Sequence, residues 1–78
     1  MADPKDITYT VTEAIGVLSE NGKRTVELNM VSWNGGPAKY DLRHWRVNMG
    51  EKFPNKGIAL DEDEARALYA LLKARFGA

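Results

Sequence analysis

The sequence predicts an α+β domain, four antiparallel strands followed by one C-terminal helix. Three observations predict it. Apolar and polar residues alternate with period two in several stretches between residues 7 and 60. Asn-Gly and Gly-Gly-Pro clusters cut that region into strand-length pieces. From Asp61 onward the apolar spacing changes to three and four, the repeat of a helix.

Residues 1–6 are polar with a proline and are expected to form a flexible tail, which leaves 7–78 as the single domain. Residues 7–19, rich in Ile, Val and Thr, read as the first strand. Ile7, Tyr9 and Val11 keep a period of two that Glu13 breaks, so a bulge or sharp bend is expected near Gly16. Asn21-Gly22 is expected to turn the chain tightly through positive φ angles. The second strand, 24–33, sets Val26, Leu28 and Met30 on one face and Glu27, Asn29, Val31 and Trp33 on the other. Asn34-Gly35-Gly36-Pro37 leads into the third strand, 39–46, where Tyr40, Leu42 and His44 oppose Asp41, Arg43 and Trp45.

Gly50 and Pro54 make 47–56 an expected irregular loop, with a short strand at 58–60 after it. Asp61 is a good helix N-cap, and Glu64 completes a capping box. Carboxylates from Asp61 to Glu64 sit at the positive end of the helix dipole, with Lys73 and Arg75 near the negative end. Ala65, Leu68, Leu72 and Phe76, flanked by Tyr69 and Leu71, form a stripe expected to be buried, and Gly77 ends the helix.

Seventy-eight residues bury little surface alone, so a second subunit is expected to complete the core as a homodimer. The chain has no cysteine, which excludes disulfides, thiolate metal sites and a Cys nucleophile. It shows no signal-peptide pattern and no membrane-length apolar run, so a cytoplasmic location is expected. Net charge is zero, but its distribution is uneven: residues 23–56 carry +4, residues 1–22 carry −3 and residues 57–78 carry −1.

Catalytic and metal chemistry find little support. His44 has no second His or Cys beside it, and Ser19 and Ser32 lack the context of an activated nucleophile. The acidic quartet from Asp61 is accounted for by helix capping, and the glycine pairs do not match a phosphate-binding loop. No enzyme activity, cofactor or metal is expected. The remaining candidates are Trp33 and Trp45 beside Arg43, with Lys39, Lys52 and Lys56 nearby, Asn29 on the Trp33 face and Lys23 at the first turn. Aromatic rings interleaved with cations on one sheet face suit single-stranded nucleic acid, since bases stack on rings and phosphates take the charges. Packing in a core or an interface is the alternative use for the tryptophans.

Asp41-Leu42-Arg43 with Trp45, a basic stretch, then Lys56-Gly57-Ile58-Ala59-Leu60 and an acidic helix start resemble the transcriptional positive cofactor four family. Val31-Ser32-Trp33-Asn34 just before them is similar to its small bacterial YdbC-like branch. The resemblance spans residues 18–76. It implies a curved four-stranded sheet with one helix, a homodimer, and single-stranded DNA bound on the sheet. It places Trp33 as an aromatic stacker, Arg43 as the motif arginine, Trp45 as the aromatic after it and Lys56 as the lysine before Gly-Ile. The hairpin at 34–38 lacks the basic residues of some relatives, leaving Lys39 as the nearest substitute, and 47–55 has its own sequence, so Lys52 rests on charge alone. The expected function is sequence-tolerant binding of single-stranded DNA, with RNA also a possible ligand, in transcription or DNA maintenance. The alternative is a small protein-interaction module that uses the Trp-bearing face.

Overall fold

A computed structural model describes residues 8–77; the tail expected at 1–6 lies outside them. The chain forms β1 (Tyr9–Asn21), β2 (Arg24–Trp33), β3 (Ala38–Asn48), β4 (Glu51–Leu60) and α1 (Glu62–Phe76). The strands make one open antiparallel sheet in the order β1-β2-β3-β4. The expected strand and helix order is therefore present, with three hairpins in succession.

Each hairpin turns for a different local reason. At the first, the Asn21 side-chain oxygen accepts from the backbone N–H of Lys23 and Arg24, both at 3.0 Å. Neither Asn21 nor Gly22 has a positive φ, so the expected mechanism is corrected: the asparagine acts through its amide oxygen. Positive φ angles appear instead at Asn34 (52°) with Gly35 (76°), and at Met49 (53°) with Gly50 (81°). These consecutive left-handed pairs follow the twist of the flanking strands. The Gly36 N–H closes the second turn on the Trp33 carbonyl at 2.9 Å.

The Met49-Gly50 turn overturns the irregular loop expected at 47–56. β3 continues to Asn48, and β4 has ten residues rather than three. Pro54 is tolerated because β4 is an edge strand, whose outward N–H groups have no partner to lose.

Three register shifts interrupt β1, between Val11 and Glu13, Ala14 and Gly16, and Val17 and Ser19. The bend expected near Gly16 is one of these. A further shift lies between Arg43 and Trp45 against β4. Each inserted residue bends its strand, and the sheet closes over one face. Tyr9 of β1 reaches Trp45 of β3 with ring centroids 5.5 Å apart, although flat strands two places apart lie about 10 Å from each other. Thr25, Glu27, Asn29, Val31, Asp41 and Trp45 are buried on this concave face.

The helix lies on the opposite face and packs on β3 and β4. Its Asp61 cap is a complete capping box, and Tyr40 donates its hydroxyl to Glu62 at 3.1 Å. Leu68 and Ala67 line one open apolar hollow with Leu42, Ile58 and Leu60. The stripe expected to be buried is not: Ala65 and Leu68 are half-buried, whereas Leu71 is 70% and Phe76 82% exposed. A helix in contact with the end of two strands can cover only its first turns.

Gly57 of β4 pairs with Arg43. A Cβ at Gly57 would stand 2.5 Å from the Arg43 Cβ and 2.6 Å from the Leu42 carbonyl oxygen. Gly57→Ala should lower stability by about 1–3 kcal/mol, the usual cost of overpacking. Arg43→Ala should not rescue it, because the Cβ and the carbonyl remain. Thermal midpoints of the single and double mutants check this, and an unmoved midpoint in Gly57→Ala refutes it.

Candidate nucleic-acid interface

The concave face is organised by Asp41. This carboxylate is fully buried in the middle of β3. Arg43, two residues along the same face, donates to it twice, Nε to Oδ1 and Nη2 to Oδ2, both at 2.9 Å. The Trp33 indole N–H donates to Oδ2 at 3.0 Å. A planar guanidinium matches a carboxylate in this two-point fashion, and the pair is stronger than neutral hydrogen bonds. Arg43 Nη1 also donates to the Asn55 carbonyl at 2.8 Å, which ties the irregular part of β4 to β3.

Trp33 is thereby held from two directions. Asp41 fixes the edge of its indole, and the Arg43 guanidinium carbon lies 4.8 Å from its ring centre. Tyr9 packs beside it at 5.3 Å with the rings tilted by 43°. Trp33 stays half-buried and keeps part of its surface open. Trp45 is 2% exposed and packs against Tyr9 at a 58° tilt.

A second polar cluster lies on the same face at β2. Glu27 accepts from the Thr25 hydroxyl at 2.7 Å, from the Asn29 amide at 3.4 Å and from the Lys52 ammonium. Burial pushes the Glu27 carboxyl up, but hydrogen bonds from Lys52, Thr25 and Asn29, with the Lys52 charge, outweigh it and hold the group below its ordinary 4.5.

The expected site residues divide accordingly. Trp33, Arg43, Trp45 and Asn29 share the concave face, joined there by Lys52 through Glu27 and by Lys39, whose register partner is Val31. Lys56 has no register partner: with Asn55 it falls in the gap opposite His44. Lys23 is an exposed residue of the first turn. Arg43 is not a free cation, since Asp41 neutralises it and its side chain is 16% exposed.

Tyr9, Asp41, Glu27 and Thr25 belong to the face and were absent from the sequence-derived candidates. Asp41 had a signal in its alternation with Arg43. Tyr9 had none, because three inserted residues in β1 decide that it pairs with Trp33; an unbroken register from Asn21 and Arg24 would have set Thr12 there.

Among the described residues, no group of three or more His, Cys, Asp or Glu is placed to hold a metal ion. No helix among them is long and apolar enough to cross a membrane.

No protein-family model matches the chain. It is similar to an uncharacterized protein of Treponema pallidum (strain Nichols), 40% identical over 70 residues that cover 88% of this chain and 80% of that relative. The chain belongs to the same family as that protein.

The Glu27 cluster gives a pH prediction. A carboxyl whose folded pKa is depressed stabilises the fold above its unfolded value, and that share is lost as pH falls through the folded value. The stability difference between the wild type and Glu27→Gln should therefore hold steady near neutrality and shrink below about pH 4.5. Urea unfolding of both proteins across that range tests it, and a difference that stays constant down to acid removes the ionised Glu27 from the stability of the fold.

Proposed function

We propose that the protein binds single-stranded DNA, with RNA as a second ligand, on the concave face of a homodimer. In this reading it is a YdbC-like member of the transcriptional positive cofactor four family. It acts without enzymatic activity or cofactor, in cytoplasmic transcription or DNA maintenance. The observation that carries the reading is Trp33, a half-open indole fixed by Asp41 and Arg43, with exposed Lys39 on the neighbouring strand as the register partner of Val31. A ring held rigid before binding loses little entropy when a base stacks on it. Arg43 serves mainly by orienting this ring, while Lys39, Lys23 and Lys52 are the cations offered to phosphates.

The alternative, a module that binds a protein on the same face, predicts different salt behaviour. Three phosphate contacts release counterions and give a slope of log affinity against log salt of roughly −2, at about −0.7 each. An apolar protein contact gives almost none. Unstructured oligothymidine should bind and quench the tryptophan emission with that slope. Trp33→Ala should cost about 1–3 kcal/mol of binding and Trp33→Phe less, since stacking needs a ring rather than the indole N–H. Because Trp33 also packs on Tyr9, affinities are to be read well below the thermal midpoint of each mutant. Absence of oligothymidine binding at low salt refutes the proposal.

The homodimer is supported by the uncovered helix. Tyr69, Leu71, Leu72 and Phe76 are exposed on one chain, next to exposed Ile58 of β4. A symmetric partner laid on this surface would bury it at both subunits. Sedimentation should show a dimer at micromolar concentration and a monomer for Phe76→Glu. An 8.7 kDa monomer throughout that range for the wild type excludes it.

A further inference from the structure

The face that bears the helix also carries a pair of cations that the fold leaves without a counter-charge. Arg24 of β2 and Arg46 of β3 are register partners, one step along from Thr25 and Trp45 on the concave face, so alternation sets both arginines on the opposite side. The Val47 N–H donates to the Lys23 carbonyl at 2.9 Å, which makes 23 and 47 hydrogen-bonded positions of this ladder. Arg24 and Arg46 therefore oppose each other as a non-hydrogen-bonded pair, the kind whose side chains stand closer. Like charges directly opposite one another destabilise a sheet. Both residues are exposed, and among the described residues neither makes an ion pair.

Phe53 of β4 is the register partner of Arg46 and lies on the same face, 42% exposed. Arg24, Arg46 and Phe53 thus form one row across three strands. The hollow shared with the helix includes Leu42 and Ile58. Arg46 stands four residues beyond Leu42 along β3, about 13 Å at the rise of a strand. On the other side of the row, Arg24 borders a hollow of about 350 Å³ with Val26, His44 and Ser19, which leaves room for a phosphate beside the guanidinium. The carboxylates at neighbouring positions are Glu20, on the rim of that hollow, and Glu51, two residues before Phe53; neither pairs with an arginine.

Resting on the proposed function, we infer that Arg24, Arg46 and Phe53 form a second contact site for the single strand, on the face opposite Trp33. Two guanidinium groups side by side offer several N–H donors to one phosphate, and its negative charge relieves their repulsion. A neighbouring base stacks on Phe53, and a ring beside cations is tolerant of sequence in the same way as Trp33. Lys23, in the turn at this end of the sheet, supplies a cation where the strand passes from one face to the other. The concave face then holds one stretch of the strand, and the row on the opposite face holds the stretch that follows it.

The salt response of the full chain is to be measured with oligothymidine of about 20 nucleotides, longer than a usual single-domain site. On this strand the wild-type slope of log affinity against log salt should exceed that of the concave face alone. Arg24→Gln with Arg46→Gln should flatten it by roughly 1.4, two contacts at about 0.7 each, back to the value set by Lys39, Lys23 and Lys52. Glutamine there removes a like-charge opposition, so this variant stays folded, and its tryptophan emission is still quenched at saturation because Trp33 is intact. Lys73→Gln with Arg75→Gln, an equal loss of charge at the end of the helix, should leave the slope unchanged. Phe53→Ala should weaken binding about tenfold and keep the slope, since a stacked ring carries no charge. An unchanged slope in the double arginine variant, or the same flattening in the Lys73 and Arg75 variant, overturns the second site and leaves binding on the concave face standing. A double arginine variant that sediments as a monomer where the wild type is a dimer also overturns it, because the arginines then face the acidic groups of a second subunit. If the wild type binds no oligothymidine at low salt, the proposed function falls and this site with it.

Discussion

A buried carboxylate at the centre of the concave face sets the positions of nearly everything around it. Removing Asp41 from water is unfavourable by several kcal/mol, and the two-point pairing with Arg43 plus the Trp33 N–H offsets that cost. The pairing places demands on the rest of the sheet. Gly57 has to lack a side chain so that Arg43 can lie flat across β4. The Asn55 carbonyl has to point inward, which the register shift beside it allows. The outcome is a tryptophan whose orientation is fixed by charge rather than by enclosure, and so can remain partly open.

The two faces of the sheet reverse the usual assignment. Among the described residues, the buried face carries Thr25, Glu27, Asn29 and Asp41 with only Val31 and Trp45 as apolar core. The helix face carries Leu42, Ile58 and Leu60 with the helix stripe, and much of that apolar surface stays open. The polar interior is sustained by its hydrogen bonds, as buried polar groups have to be. It contributes specificity of geometry more than hydrophobic stabilisation. The apolar exterior supplies what a second chain would bury. These faces suit different partners, a polar ligand on one and an apolar surface on the other.

Strand number, strand order, the helix with its capping box, and the division of Trp33, Arg43 and Trp45 from Leu42 and His44 were all legible in the residues. They depend on local rules: period two in a strand, three and four in a helix, and an N-cap three residues before a glutamate. Local rules also misled in three places. Pro54 made an edge strand look like a loop, Asn21-Gly22 suggested a backbone mechanism where a side chain acts, and the helix spacing suggested burial without saying what would bury it.

The sequence by itself determined which residues share a face, because alternation along a strand is a property of its own backbone. Only the tertiary structure decided which face is buried and which residues of distant strands meet there. Curvature comes from inserted residues in β1 and β4, and their effect accumulates across the sheet. It carries Tyr9 to Trp33 and Trp45, draws Lys52 over β3 to Glu27, and leaves Lys56 in a register gap. A bulge changes the pairing of every residue beyond it, and the broken period at Glu13 announced one bend in β1 without giving the number of inserted residues or the partners they bring together.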